Sequence, residues 1–372
     1  MKPLGVYIHI PFCAAKCRYC DFCSHPPADG EIQQYTERLC CQIITWHDRM
    51  LGYTADTVYF GGGTPSLLSA RPLGSILGTL AGAVSIATDA EITLECNPAT
   101  VDETALRTIG AAGVNRLSIG AQSLDNAELA ALGRIHNAST VGETVVAARR
   151  AGFNNLSIDL MYGIPGQTLH SFETTISGVL EMCPEHISTY GLKVEPGTPF
   201  GKMGSRLVLP GEDDVADMYL DVCSMLEDAG LRQYEISNFA RPGYESRHNL
   251  KYWHCADYIG FGVAASSCFE GVRFTAPRDM GRYMICDDPA ERIELTAAGR
   301  ETEYVMLALR LTDGVRYADY AAHFGASAAD KYGPRIEKYV RCGFVRCDPR
   351  DFALTRQGML VSNSILSDIL DL

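Results

Sequence analysis

The sequence predicts an α/β fold: a run of βα units of the parallel-barrel kind, followed by a small α+β domain of winged-helix-like pattern. Three observations predict it. A short β-rich run recurs roughly every 30 to 40 residues, each followed by Gly/Pro-rich or polar residues and then a helical stretch. The pieces richest in glycine and proline fall at the C-terminal ends of those runs. Beyond about residue 275 the pattern changes to helices and one hairpin.

The strands expected, in order, are 5–10, 57–60, 91–95, 116–119, 156–160 and 186–190, with 234–236 as a seventh. PFCAAKCRYC, GGGTPS, CNPATVD, GAQSLD, YGIPGQT and KVEPGTPF follow the first six. In parallel barrels that edge carries the chemistry. Stretches such as GGGTP suit a backbone that comes close to a ligand, and they also suit plain βα turns. Residues 1–275 form the expected barrel domain, 272–292 the connection, and 290–372 the C-terminal domain. The latter has helices at 301–311 and 328–342, a hairpin at 344–354 and a last helix from Arg356.

Composition excludes several classes. The formal charge of -13, from 45 acidic against 32 basic residues, argues against a nucleic-acid partner, which needs clustered Lys and Arg. Residues 4–12 are apolar behind Lys2, but a cysteine cluster follows where a cleavage site would stand, so export is rejected. No run reaches the roughly 18 apolar residues of a membrane span, the nearest being 258–269. Several of the 14 cysteines stand alone in apolar segments, such as Cys183, Cys223 and Cys268. They read as reduced thiols of a cytoplasmic protein.

Cys13, Cys17 and Cys20 form CxxxCxxC directly after the first strand. Thiolates at this spacing converge on a metal centre, and three of them leave one iron of a 4Fe-4S cubane open. That corner can chelate the amino and carboxylate groups of a methionine. Zinc is the competing reading, although no second cysteine pair is present to complete a structural zinc site. Cys23 as a fourth ligand would close the cluster. Cys40 and Cys41 read as structural.

With the aromatic Tyr19 before its last cysteine, this motif resembles the radical S-adenosylmethionine (SAM) superfamily, whose fold is a partial parallel (β/α) barrel. Read in order, YIHIPFC, YFGGGTPSLL, ECNPATVD, NRLSIGAQS, LGRIH, DLMYGIPGQT, EPGTPF, QYEISNFA and SRHNLKYW resemble the HemW-type haem chaperones. These are relatives of oxygen-independent coproporphyrinogen III dehydrogenase. The resemblance spans nearly the whole chain, including a HemN-like C-terminal domain. It implies a 4Fe-4S cluster on the three cysteines, with Tyr7 and Tyr19 near the SAM methionine. Gly62, Gly63 and Thr64 would bring backbone to the SAM amino group, and Glu95 would accept from the ribose hydroxyls. Gln122, Arg134 and Asp159 match further polar positions around SAM, and for Arg134 a surface ion pair is the alternative.

HNLKYW resembles the family's HNxxYW haem-binding pattern, which implies contacts from His248, Asn249, Tyr252 and Trp253. His is a good iron ligand and the aromatic rings offer flat apolar surface, yet a hydrogen-bonded structural His reads equally well. The function implied is a chaperone that carries haem as cargo to acceptor haemoproteins such as respiratory enzymes, with the cluster and SAM shaping transfer or homodimer formation. The alternative is the dehydrogenase itself, in which the radical from SAM cleavage starts decarboxylation of a porphyrinogen propionate. Two departures count against it. Tyr7 stands almost at the start, where the dehydrogenases carry a longer leading segment. Phe22 occupies the place of their fourth cysteine, and Cys23 comes one later. A methyltransferase of anaerobic haem breakdown is a third reading. No catalytic residue is assigned.

Overall fold

The computed structural model describes residues 1–286 and 288–371. Asp287, within the expected connection, and Leu372, at the end of the expected C-terminal domain, lie outside the described residues. Six strands pair in parallel and in chain order: β1 (Lys2–Ile10), β2 (Tyr53–Gly62), β3 (Ser85–Cys96), β4 (Arg116–Gln122), β5 (Leu156–Tyr162) and β6 (His186–Gly191). Parallel neighbours need a long crossover, and each gap holds at least one helix, such as Glu31–Thr45 after β1 and Ala70–Ala83 after β2.

The strands are two-sided. Val6, Ile8, Val58, Phe60, Leu94, Leu117, Ile158 and Leu160 are fully buried in the apolar core. The alternate positions are polar and align across the sheet: Tyr7 beside Tyr59, Glu95 beside Ser118, and Asp159 beside Ser188. Period-two alternation thus makes an apolar outer shell around a polar lumen.

The sheet continues through β7 (Arg232–Gln233), β8 (Asn238–Ala240), β9 (Tyr258–Phe261), β10 (Ser266–Phe269), β11 (Val272–Thr275) and β12 (Glu291–Glu294). The order is β12-β11-β10-β9-β1-β2-β3-β4-β5-β6-β8-β7; its ends do not pair among the described residues, so the barrel is partial. The expected strand at 234–236 is instead the link between antiparallel β7 and β8, and Glu235 bridges to Leu311. The seventh parallel strand is β9, on the far flank of β1. The apolar run 258–269 is therefore β9, a turn and β10. The return of β10 against β9 requires glycine at position 260 of β9, where a Cβ would lie 2.3 Å from the Ser266 carbonyl oxygen. The expected connection 272–292 begins with β11 and ends in the first residues of β12, and these two strands pair with each other and extend the sheet. No helix is long and apolar enough to cross a membrane among the described residues.

Beyond β12 come helices Ala297–Ala308, Tyr317–Phe324 and Ala328–Arg341, then the small sheet of β13 (Val315–Arg316), β14 (Val345–Cys347) and β15 (Asp351–Leu354). Helices Arg356–Leu360 and Ser362–Leu370 close the chain. This winged-helix-like unit is joined to the barrel by backbone: Ile236 N–H donates to Arg310 O (2.9 Å) and Thr312 N–H to Tyr234 O (3.1 Å).

Phe261 on β9 is fully buried, with Trp46 edge-on at 6.3 Å. Phe261→Ala should cost about 3–5 kcal/mol in chemical denaturation. A loss under about 1 kcal/mol would mean that this flank contributes little to the core.

Candidate metal centre and ligand cavity

The cysteine loop is held on three sides by backbone. Gly63 N–H donates to Ile10 O (2.8 Å) and Thr64 N–H to Phe12 O (2.7 Å). Cys13 N–H donates to His25 O (3.0 Å), and His25 N–H to Pro11 O (2.8 Å). Arg18 N–H donates to Leu132 O (2.9 Å), while Phe200 N–H donates to Arg18 O (3.0 Å). The glycines here answer first to β1. A Cβ on Gly63 would come 2.6 Å from Phe12 O, and one on Gly62, at φ +108°, 2.4 Å from the His9 ring. Close packing, rather than clearance for a ligand alone, demands glycine at both.

Cys13, Cys17 and Cys20 edge one cavity of about 340 Å³ at the C-terminal mouth of the barrel. Tyr19, Gly62, Gly63, Thr64, Glu95, Gln122, Arg134 and Asp159 line the same cavity. Tyr7 does not; it hydrogen-bonds His9 Nδ1 (3.1 Å) with its ring against Tyr59. Cys23 is also outside the lining, its Sγ donating to Arg278 O (3.3 Å).

These residues fit a three-thiolate cluster. Thr64 Oγ1 donates to Cys13 Sγ and Arg134 Nη1 to Cys17 Sγ, each at 3.5 Å, which suits sulfurs bearing negative charge. Burial pushes the Cys20 thiol up, so a bound metal would have to draw off its proton. Among the described residues no three His, Cys, Asp or Glu side chains, the three cysteines included, are gathered closely enough to hold a single ion. Arg134 is not a surface ion pair. Its Nη2 donates to Gly120 O (2.6 Å), and its buried Nε has no partner.

Across the cavity, Glu95 accepts from Tyr59 Oη and Gly62 N–H, both at 3.1 Å. Burial, reinforced by the charge of Asp159, pushes its carboxyl up to about 7. Burial also raises Asp159, which accepts from Ser118 Oγ (2.9 Å) and Ser157 Oγ (3.2 Å). Gln122 lines the wall at φ +69°, where β4 and β5 shift register, a strained backbone of the kind found at ligand sites. Sequence reasoning missed Tyr59, Ser118 and Tyr190, which also line the cavity. The signal was available in period two: Ser118 pairs with Glu95, and Tyr59 with Tyr7.

HNLKYW forms helix Arg247–Trp253, away from this lining. His248 is buried, and both ring nitrogens are engaged: Nδ1 with Thr57 Oγ1 and Nε2 with Tyr252 Oη, each at 2.8 Å. Burial pushes it down to about 3, so the ring is neutral. As placed, both ring nitrogens are taken up by partners within the fold. Asn249, Tyr252 and Trp253 are half-buried, and Trp253 Nε1–H has no partner.

The family description of the Radical SAM superfamily matches residues 7–177, and that of the HemN C-terminal domain matches 290–361. The heme chaperone HemW of Lactococcus lactis is 33% identical over 99% of this chain and 98% of the relative. The heme chaperone HemW of Bacillus subtilis is 35% identical over 98% of this chain and 99% of its own. Among solved structures, coproporphyrinogen III oxidase HemN of Escherichia coli superposes with a TM-score of 0.87. That match covers 99% of this chain and 90% of the other at 23% identity, a likeness of fold.

The raised Glu95 has a readable consequence. A carboxyl that titrates higher when folded stabilises the protein fully below its ordinary value, and that contribution is lost as pH rises through about 7. Glu95→Gln, which mimics the neutral form, should therefore gain stability over the parent at pH 8 but not at pH 5. An equal difference at both pH values would contradict this assignment.

Proposed function

The chain belongs to the HemW family of the radical SAM superfamily, and on that footing we propose that it is a haem chaperone that binds haem and passes it to acceptor haemoproteins. The observation that carries this reading is likeness over nearly the full length of both chains to relatives named as heme chaperones. Respiratory enzymes are the proposed class of acceptor, and the cytoplasm the proposed compartment. Homodimer formation belongs to the same reading.

In this reading Cys13, Cys17 and Cys20 hold a 4Fe-4S cluster, and exchangeable SAM occupies the cavity beside them. SAM at an open cluster iron supplies one-electron chemistry when the cluster is reduced. The chain's own residues do the holding. Gly62, Gly63 and Thr64 present backbone to the methionine end, Glu95 accepts from the ribose hydroxyls, and Gln122, Arg134 and Asp159 complete the polar wall. Tyr19 flanks the thiols, while Tyr7 supports from below through Tyr59. His248, Asn249, Tyr252 and Trp253 are the proposed contacts of the HNLKYW segment with haem.

Decarboxylation of coproporphyrinogen is not favoured by any specific observation: likeness to HemN at 23% identity is a likeness of fold, and Phe22 stands where the dehydrogenases place a cysteine. The anaerobically reconstituted, reduced protein should bind haem in a fixed ratio and leave coproporphyrinogen III unchanged in the presence of SAM. Appreciable protoporphyrinogen would overturn the chaperone reading. Cys17→Ala should remove the visible absorbance of the cluster and Cys23→Ala should keep most of it; loss in both would refute the three-ligand assignment.

A further inference from the structure

We infer that His248 is a positioning residue for the cavity carboxylate Glu95, acting through Tyr59. The inference rests on the proposed reading of Glu95 as acceptor of the SAM ribose hydroxyls.

Helix Arg247–Trp253 is tied to three barrel strands at once. Arg247 N–H and His248 N–H each donate to the Glu91 carboxylate of β3, both at 3.1 Å. Lys251 Nζ pairs with Asp56 of β2 at 2.7 Å. On β1, Gly5 makes the room: a Cβ there would lie 2.8 Å from Lys251 Cδ and 3.5 Å from His248 Cε1. With both nitrogens bonded, the imidazole is fixed in plane. The Tyr59 ring stacks on it at 5.2 Å and 27°, and the Tyr7 ring lies at 6.5 Å. Tyr59 Oη then donates to Glu95 Oε1 at 3.1 Å.

A close-packed interior passes such a constraint on, because a vacated ring volume is filled only by movement of its neighbours. Without the imidazole, Tyr59 loses the surface that sets its height, and its hydroxyl leaves Glu95. The groups facing Glu95 are Tyr7 from β1, Tyr59 from β2, Asp159 from β5, Tyr190 from β6 and Tyr252 from the helix, with Arg116 acting on Tyr59 and Asp159. Among the described residues, Tyr59 joins His248 to Glu95 by a ring contact on one side and a hydrogen bond on the other.

The test is equilibrium binding of radiolabelled SAM to the cluster-loaded protein across roughly pH 6 to 9, with cluster absorbance certifying each variant. His248→Ala and Tyr59→Phe should each weaken SAM binding about tenfold at pH 7, the scale of one hydrogen bond to a charged group. Both should move the binding midpoint to higher pH, since Glu95 loses a donor that favours its ionised form. The double variant should bind no worse than the weaker single variant. His248→Phe, which keeps a ring under Tyr59, should restore both affinity and midpoint. Native SAM affinity in His248→Ala, additive losses, or failure of His248→Phe to restore binding would overturn the inference. If His248→Ala loses its cluster, Tyr59→Phe and His248→Phe decide. Glu95→Gln separates the two layers: if it binds SAM normally, the reading of Glu95 falls and the inference with it. If only Glu95→Gln is weakened, the inference alone fails.

Discussion

The site depends on one backbone contact, the docking of the GGGTP turn of β2 against the end of β1. Gly63 and Thr64 donate to Ile10 and Phe12, and neither Gly62 nor Gly63 has room for a side chain. Each such hydrogen bond contributes only about 1 kcal/mol net. Their value lies in geometry. The same turn puts Thr64 Oγ1 on Cys13 Sγ and Gly62 N–H on Glu95, so the cysteine loop and the opposite wall are referenced to one short segment. A site whose parts share an anchor is preorganised, which is what a weakly held small ligand requires.

The second constraint is electrostatic. The lumen buries two carboxylates, Glu95 and Asp159, both held up by burial, alongside the fully buried guanidinium of Arg116. Arg116 favours ionised Asp159, and the serine hydroxyls of β4 and β5 satisfy its oxygens. His186 and His248 stay neutral in the same interior. A polar lumen of this kind costs stability, which the fully apolar outer shell of the strands offsets. Polar residues thus concentrate on the inward face, where a charged ligand would sit.

Much of this was legible in the sequence because it was local. Six strands and the loops at their C-terminal ends follow from β-rich runs punctuated by glycine and proline, and CxxxCxxC is a spacing that declares itself. The failures were non-local. Nothing in 258–269 distinguishes a buried hairpin from any other apolar run, since β9 is defined by pairing with β1 across most of the chain. The segment 234–236 has strand-like composition but links β7 to β8 beneath the C-terminal unit. Arg134 was placed at the site by resemblance alone, with a surface ion pair as the alternative, because its reach to Cys17 and Gly120 is not visible in spacing. For His248 the sequence left a haem contact and a hydrogen-bonded structural residue side by side, and its packing against Thr57, Tyr59 and Tyr252 is set by strands far away in the chain.

In the proposed site three cysteines leave one cluster iron open to SAM, in the cavity that Glu95 and Arg134 complete. The most direct measurement is electron–nuclear double resonance on the reduced, reconstituted protein with SAM labelled with nitrogen-15 at the amino group. A hyperfine coupling from the labelled nitrogen is expected, lost when unlabelled SAM replaces it and preserved in Cys23→Ala. A fully reduced cluster that shows no coupling to bound SAM, or that needs Cys23 to form, would contradict it.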